Sequence, residues 1–349
     1  MKTALSFDDV LLVPQYSSIV SRREIDLSSR LEDGNVFRLP IIASPMDTIS
    51  GWEMAAAMRK LGGFAVIHRY NKIEEQAGLV TQAVIGEDSP VAAAIGMSDD
   101  YLERAYELYK AGARILCVDV AHGHHSMMKS AIESLRMRWD ENIHIMAGNV
   151  ATAKAYCDLS NWGADSIRVG IGCGSICSTR IQTGHGVPVL QSLFDIGEAK
   201  LSAPLRPSGK PAAIICDGGI RNGGDIVKAL AAGADFVMCG SLFAGATETP
   251  GRIFIDGSGR QVKKYRGMSS REAQMDWKES SNSPEGIETT VPMRGKVKNI
   301  IEELEGGIRS GLSYSGALTI KQLRQKAVWV RQTGAGQIES STHILNKNA

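Results

Sequence analysis

Residues 167–186 read Ile167-Arg168-Val169-Gly170-Ile171-Gly172-Cys173-Gly174-Ser175-Ile176-Cys177-Ser178-Thr179-Arg180-Ile181-Gln182-Thr183-Gly184-His185-Gly186. A short apolar strand breaks into glycine and then presents Ser175, Cys177 and Thr179. Gly170, Gly172 and Gly174 alternate, which lets the backbone take positive φ and lets a ligand approach with no Cβ in the way. A plain core strand needs neither. Successive N–H groups in such a loop, with a helix starting just after it, cradle an anion such as phosphate, and the same field favours a thiolate over a thiol. Cys177 is therefore a candidate nucleophile and Cys173 its closest competitor; the bland reading of either is a small buried hydrophobe.

Working outward, eight short apolar runs punctuate the chain: 39–43, 64–67, 91–95, 114–120, 143–146, 166–169, 212–216 and 236–239. Between them, apolar residues recur at helical spacing over 52–61, 73–85, 101–111, 127–139, 153–162, 189–201 and 224–232. Several of these segments end in Gly just before the next run, where a helix C-cap belongs. Nearly continuous apolar strands separated by helices mean a parallel sheet covered on both faces, and eight such units favour a closed α/β (β/α)8 TIM barrel over an open doubly wound sheet. A chain of 349 residues suits one such domain. The reading is a single catalytic domain over 1–349 with an N-terminal arm (1–37), a long mobile flap after strand 8 (245–296) and a polar tail (330–349), and no inserted regulatory domain.

Charge is balanced, with 39 Lys+Arg against 38 Asp+Glu, so no global field points to nucleic acid or an anionic membrane. Any phosphate must be held locally. Six cysteines without a C-x-x-C pair, no basic-then-apolar leader and no membrane-length apolar run predict a soluble cytoplasmic enzyme.

In a barrel, residues after each strand's C-terminal end meet on one face. Here those ends carry Ser44-Pro45-Met46-Asp47, His68-Arg69-Tyr70, Gly96-Met97, Asp119, Gly148-Asn149, the glycine loop, Asp217-Gly218-Gly219 and Gly240-Ser241. The last two sets follow strands 7 and 8, where barrels bind phosphate through backbone amides, and Ser175 would add a third loop. The segment 245–292 loses periodicity and is rich in Ser, Glu, Lys and Arg, as expected of a lid or a disordered excursion. His122, His124 and His125 invite a metal reading, but no matched ligand set accompanies them, and ligand contact or surface placement is preferred. Neither a P-loop nor a Rossmann fingerprint is present.

These residues resemble the IMP dehydrogenase and GMP reductase family, whose Gly-Ile-Gly-Pro-Gly-Ser-x-Cys-x-Thr motif is matched from Gly170 through Thr179 apart from Cys173 in place of proline. Further matches are Phe7-Asp8-Asp9-Val10-Leu11-Leu12-Val13-Pro14, Pro45-Met46-Asp47-Thr48, Met146-Ala147-Gly148-Asn149-Val150, Asp217-Gly218-Gly219, Gly267-Met268 and Gly306-Gly307-Ile308-Arg309-Ser310. The resemblance implies a homotetramer acting on a purine 5′-monophosphate with a nicotinamide cofactor. It implies that Cys177 attacks C2 of the purine, with Thr179 and Glu285 moving protons. Ser175, Gly219, Gly240, Ser241 and Tyr265 would hold the phosphate, Asp217 the ribose, and Met268 and Gly286 the base, with Ser44, Met46 and Gly267 completing the nucleotide site. Asp119, Asn149, Gly170 and Gly172 would face the cofactor. The carbonyls of Gly172, Gly174 and Cys177 would ligate potassium, with Glu339 of a neighbouring subunit completing the shell.

The two activities separate on a few features. The dehydrogenase typically carries a domain inserted after the second strand, which this chain lacks, and its flap supplies an Arg-Tyr pair to activate water. Between Met268 and Pro284 no such pair occurs. Gly267-Met268-Ser269-Ser270 followed by Ala273 also looks like the reductase. Val13-Pro14-Gln15-Tyr16, the tail from Gly334 to Ser340 and the absence of a lysine near Arg69 look more like the dehydrogenase. The resulting expectation is GMP reductase with NADPH; IMP dehydrogenase with NAD is the alternative. An inactive nucleotide binder is a third, motivated by Cys173, Ser178 and Arg69.

Overall fold

A computed structural model describes residues 3–340 apart from 32–33, 87–88, 98–99, 204 and 207–208; of the tail, 341–349 lie outside the described residues. Eight parallel strands close into a barrel in the order β7-β8-β1-β2-β3-β4-β5-β6. They are β1 (Ile41–Ala43), β2 (Phe64–Ile67), β3 (Val91–Ile95), β4 (Ala113–Asp119), β5 (His144–Val150), β6 (Ser166–Val169), β7 (Ala213–Asp217) and β8 (Phe236–Cys239). The expected closed barrel is therefore the fold, and β2, β3, β6 and β8 have the bounds read from the sequence. Such strands are buried on both faces, which is why they read as unbroken apolar runs.

The other four strands differ from the expected bounds, β1, β4 and β7 slightly and β5 the most. β5 does not stop at Met146 but continues through Gly148 and Asn149 to Val150, with a register shift against β6 at that point. Asn149 thus projects from a bulged strand rather than a loop, and bulges re-aim side chains in this way.

The helices that matter for the site are α4 (Ser126–Trp139), α5 (Ala153–Trp162), the short α6 (Thr179–Thr183) and α8 (Gly223–Ala231). Their termini follow local chemistry. Thr152 Oγ1 accepts from Ala155 N at the start of α5, Gly163 ends it at φ +118°, and Asn222 Oδ1 caps α8 through Asp225 N.

The N-terminal mouth of the barrel is sealed by an antiparallel pair, Ser29–Arg30 with Val36–Phe37, from the arm. Its Phe37 ring meets Phe64 at 4.5 Å and Phe236 at 5.8 Å, in a cluster with Leu31, Ile42, Ile115 and Met146. Earlier in the arm, Val10–Leu12 pairs antiparallel with Trp329–Arg331. Of the two expectations for the next segment, a lid or a disordered excursion, disorder does not hold: β9 (Phe254–Ile255), β10 (Gln261–Arg266) and β11 (Glu288–Pro292) form an antiparallel sheet carrying α9 (Arg271–Lys278). Among the described residues, no helix is long and apolar enough to cross a membrane.

Candidate active site

The C-terminal ends of the strands converge on a cleft of about 270 Å³. Its floor is an ion-pair network. Arg168 projects inward from β6 and is buried; its Nη1 donates to Asp119 Oδ1, and Nη2 and Nε donate to Asp217 Oδ2 at 2.7 and 3.1 Å. Burial opposes its charge, but the carboxylates of Asp217 and Asp119 outweigh that and hold its pKa well above the ordinary arginine value. Asn149 Nδ2 donates to the same Asp217 oxygen and to the Gly170 carbonyl, both at 2.8 Å. Asp217 Oδ1 takes none of these bonds. Removing one member would leave a buried charge uncompensated, at a cost of about 3–5 kcal/mol.

Above this floor the glycine loop turns. Gly170 sits at φ +148°, and a Cβ there would lie 2.0 Å from the Asp217 carbonyl oxygen, so only glycine lets the loop pass β7 this closely. Cys177 Sγ donates to Thr179 Oγ1 at 3.2 Å, and Thr179 Oγ1 donates to Glu285 Oε2 at 2.7 Å. The order is thiol to hydroxyl to carboxylate, a path along which the sulfur can lose its proton.

Glu285 reaches the loop because the flap is stitched to it. Ser178 N donates to Glu285 O at 2.9 Å and Ile287 N to Ile176 O at 3.1 Å, bracketing a bridge between Cys177 and Gly286. A Cβ on Gly286 would stand 3.2 Å from Ser270 N and 3.3 Å from Gly267 Cα, so the clasp closes only over bare backbone. Arg266 holds the flap from the other side, through Asp47 after β1 at 2.5 Å and Asp276 of α9 at 2.5 Å. Asp47 N also donates to Met268 Sδ at 3.3 Å.

Opposite the sulfur, Ser175 Oγ and Tyr265 OH lie 3.3 Å apart beside Gly240 and Ser241. Burial raises the Tyr265 pKa, which keeps its phenol a donor. Gly219 follows in the β7 loop at φ +77°. Two hydroxyl side chains, a phenol and open backbone from three strand ends form a pocket of donors without a lysine or arginine among them.

The structure brings together Cys177, Thr179, Glu285, Ser44, Met46, Ser175, Asp217, Gly219, Gly240, Ser241, Tyr265, Gly267, Met268, Asp119, Asn149 and Gly174 around the one cleft. It does not bring Gly170, Gly172 or Gly286 to the cleft wall. Gly170 packs on Asp217, Gly172 on the Arg180 stem, and Gly286 forms the flap clasp. Cys173 turns away: its Sγ lies 3.4 Å from the Val187 carbonyl and accepts from Arg180 Nη2 at 3.2 Å, and burial raises its pKa. Glu339 ends the short helix Gly334–Glu339, on the arm beside Phe7–Asp9. Two of the three histidines are engaged separately: His124 Nε2 pairs with Asp158 at 2.8 Å, and His125 accepts from Met127 N at the start of α4. Among the described residues, no three His, Cys, Asp or Glu side chains are grouped to hold a metal.

Sequence reading missed Arg168 as a cleft residue, and quoted Arg69 and Tyr70 at a strand end without giving them a role. The signal for Arg168 was a charged residue inside a four-residue strand that is otherwise small or apolar.

A family model described as the IMP dehydrogenase / GMP reductase domain matches residues 4–343. The chain belongs to this family. An inosine-5′-monophosphate dehydrogenase from Borreliella burgdorferi is 36% identical over 402 aligned residues, with 98% of this chain and 97% of the relative covered. A GMP reductase from Leishmania major is 30% identical over 486 residues, with 98% and 97% covered. The crystal structure of a cysteine-to-alanine GMP reductase from Trypanosoma brucei in complex with guanosine 5′-monophosphate matches with a TM-score of 0.90 at 28% identity, covering 98% of both chains. Members of this family are oxidoreductases, and so is this chain. Both sequence alignments are longer than its 349 residues, so relatives of either name carry residues it lacks.

Proposed function

We propose that this oxidoreductase is a GMP reductase, converting GMP to IMP and ammonia at the expense of NADPH. The observation that carries the reading is the flap. It lays Glu285 on Thr179 beside Cys177, and between Met268 and Pro284 it offers no Arg-Tyr pair to activate water. The Cys177 sulfur, its proton passed through Thr179 to Glu285, bonds to C2 of the purine. The carbon becomes tetrahedral. The same path returns the proton to the exocyclic amine, which leaves as ammonia as the C2–N bond breaks. A reduced nicotinamide, when bound, supplies the hydride that replaces the sulfur on C2. Ser175, Ser241, Tyr265 and the amides of Gly219 and Gly240 hold the phosphate, Asp217 Oδ1 accepts from the ribose, and Met268, tied to Asp47, covers the base.

The wall toward Asp119 suits the nicotinamide. Asn149 Oδ1 is buried there without a hydrogen-bond partner, an acceptor suited to a carboxamide N–H. A homotetramer and a potassium ion on the Gly172, Gly174 and Cys177 carbonyls belong to the same proposal, with Glu339 delivered by a neighbouring copy. Sedimentation and activity with and without potassium test both.

One observation favours the dehydrogenase: an Arg-Tyr pair does line the cleft, as Arg69-Tyr70 after β2 rather than on the flap. Side-by-side assays decide. GMP with NADPH should release ammonia in step with cofactor oxidation; rapid formation of XMP from IMP and NAD, with no ammonia from GMP, would overturn the reductase reading.

A further inference from the structure

Lys263 lies in β10 opposite Val291 of β11, and only 3% of it reaches solvent. Its ammonium sits among neutral oxygens. Nζ donates to the carbonyls of Thr249, Thr247 and Ala246 at 2.6, 3.1 and 3.3 Å, and to Thr249 Oγ1 at 3.2 Å. Burial disfavours the charge and lowers the Lys263 pKa, while the carboxylates of Glu248 and Glu53 act against that through space. Backbone carbonyls that converge on one monovalent cation replace its water shell, as they do around a bound potassium ion. Here the side chain supplies the ion itself.

The cage joins parts on which the cleft depends. Its oxygens all belong to the loop that leaves β8 after Gly240 and Ser241. The chain leaving β11 grips the same loop: Thr247 N donates to Gly295 O and Arg294 N to Gly245 O, both at 2.8 Å. From Lys263, β10 runs on to Tyr265, whose hydroxyl lies 3.3 Å from Ser175 Oγ, and to Arg266, which meets Asp47 and Asp276. Its partner strand β11 starts at Glu288, just past Glu285. Without the ammonium, the carbonyls of Ala246, Thr247 and Thr249 lose a donor that they share, and the loop must shift to reach water. A shift there moves the phenol and Glu285 together.

We propose that Lys263 is a positioning residue for the Cys177 chemistry: its ammonium is a built-in monovalent cation that locks the root of the flap to the end of β8, and so sets Tyr265 beside Ser175 and Glu285 on Thr179. The inference rests on the proton path read at Cys177 and names what holds its far end in place.

The test removes the cation and returns it from solution. Lys263→Ala deletes the atoms from Cγ to Nζ, which n-propylammonium reproduces; tetramethylammonium brings the same charge with no N–H. The variant is refolded with each salt at equal concentration beside the wild type and Lys263→Met. In Lys263→Ala, kcat should fall on the order of 10–100-fold, measured with whichever pair the wild type turns over, GMP and NADPH or IMP and NAD. Tryptic cleavage at the exposed Arg271 of α9 should quicken, and n-propylammonium, but not tetramethylammonium, should reverse both changes. Lys263→Met, which fills the space without a donor, should show the loss and no rescue. Wild-type kcat and cleavage rate in Lys263→Ala would overturn the proposal, as would a loss that the two salts reverse equally or not at all. A melting temperature restored by n-propylammonium with kcat still low would also overturn it, leaving Lys263 a structural lysine. Should Lys263→Ala fold only with added salt, folded yield becomes the readout, and equal yields with the two salts overturn the cage. If the wild type turns over neither pair, the Cys177 reading fails while cleavage at Arg271 still tests the lock.

Discussion

The two mouths of the barrel are built from the same eight strands and differ in almost every other respect. At the N-terminal mouth three aromatic rings plug the opening, and its carboxylates are fully partnered. Asp235 meets Lys200 and Arg324 at 2.6 and 3.0 Å, and Asp165 meets Arg136 and Arg206. At the C-terminal mouth the backbone is glycine-rich, Asn149 and Arg69 keep unmet polar atoms, and Cys177, Thr179 and Glu285 are only part-buried. One end saturates its groups for stability, whereas the other leaves groups open for a ligand. Damage at the two ends should therefore separate into lost stability and lost chemistry.

The largest effect belongs to the closed end. Phe236→Ala removes a ring that touches Phe37 and Phe64 edge-on at 5.8 and 5.9 Å, and it should cost about 3–5 kcal/mol of stability. Denaturant midpoints measure this. Purine nucleotide affinity of the folded fraction should not change; a parallel loss would show that the two mouths are not separable.

At the open end, Glu285→Gln should lower kcat on the order of 10²–10³-fold, because the thiol loses its proton acceptor. Its KM for nucleotide and its melting temperature should stay close to wild type. A raised KM with unchanged kcat would mean that Glu285 only binds.

The smallest effect is the pH dependence that Asp235 adds at the closed end. Burial alone would raise the Asp235 pKa, but Lys200, Arg324 and the Ile214 N–H hold it down to about 2. A depressed carboxylate stabilises the fold above its unfolded value and ceases to do so as pH falls through the folded one. Wild-type stability should thus drop by about 2 kcal/mol between roughly pH 4 and pH 2. Asp235→Asn should begin lower at neutral pH and be flatter in that window; an identical acid limb in the variant would contradict the assignment.

The same contrast explains what was legible in the sequence. β2, β3, β6 and β8 announced themselves because strands buried on both faces carry unbroken apolar runs, and the cleft followed because polar and glycine residues sit at every strand end. The flap sheet did not. Its β10 is buried at Val262, Lys263 and Tyr265, so the burial does not alternate and one of the buried positions is a lysine. Lys263 Nζ donates to the carbonyls of Ala246, Thr247 and Thr249, a saturation that only tertiary structure reveals. Gly170, Gly172 and Gly286 do not line the cleft wall, and glycine looks the same in sequence whether it makes room for a ligand, for backbone as at Gly170 and Gly286, or for a side chain such as Arg180 at Gly172. Arg69 stood in the sequence as a strand-end residue and a departure from the family pattern, but the three cavities that meet beside it exist only in the fold.

The chemistry of the open mouth turns on the sulfur of Cys177. Its most direct measurement is ammonia release from GMP in the presence of NADPH by the wild type and by Cys177→Ala, with GMP affinity of both taken by calorimetry. The wild type should turn over and the variant should bind GMP without releasing ammonia. Ammonia release by the variant at the wild-type rate would contradict covalent capture and the reading of the open mouth built on it.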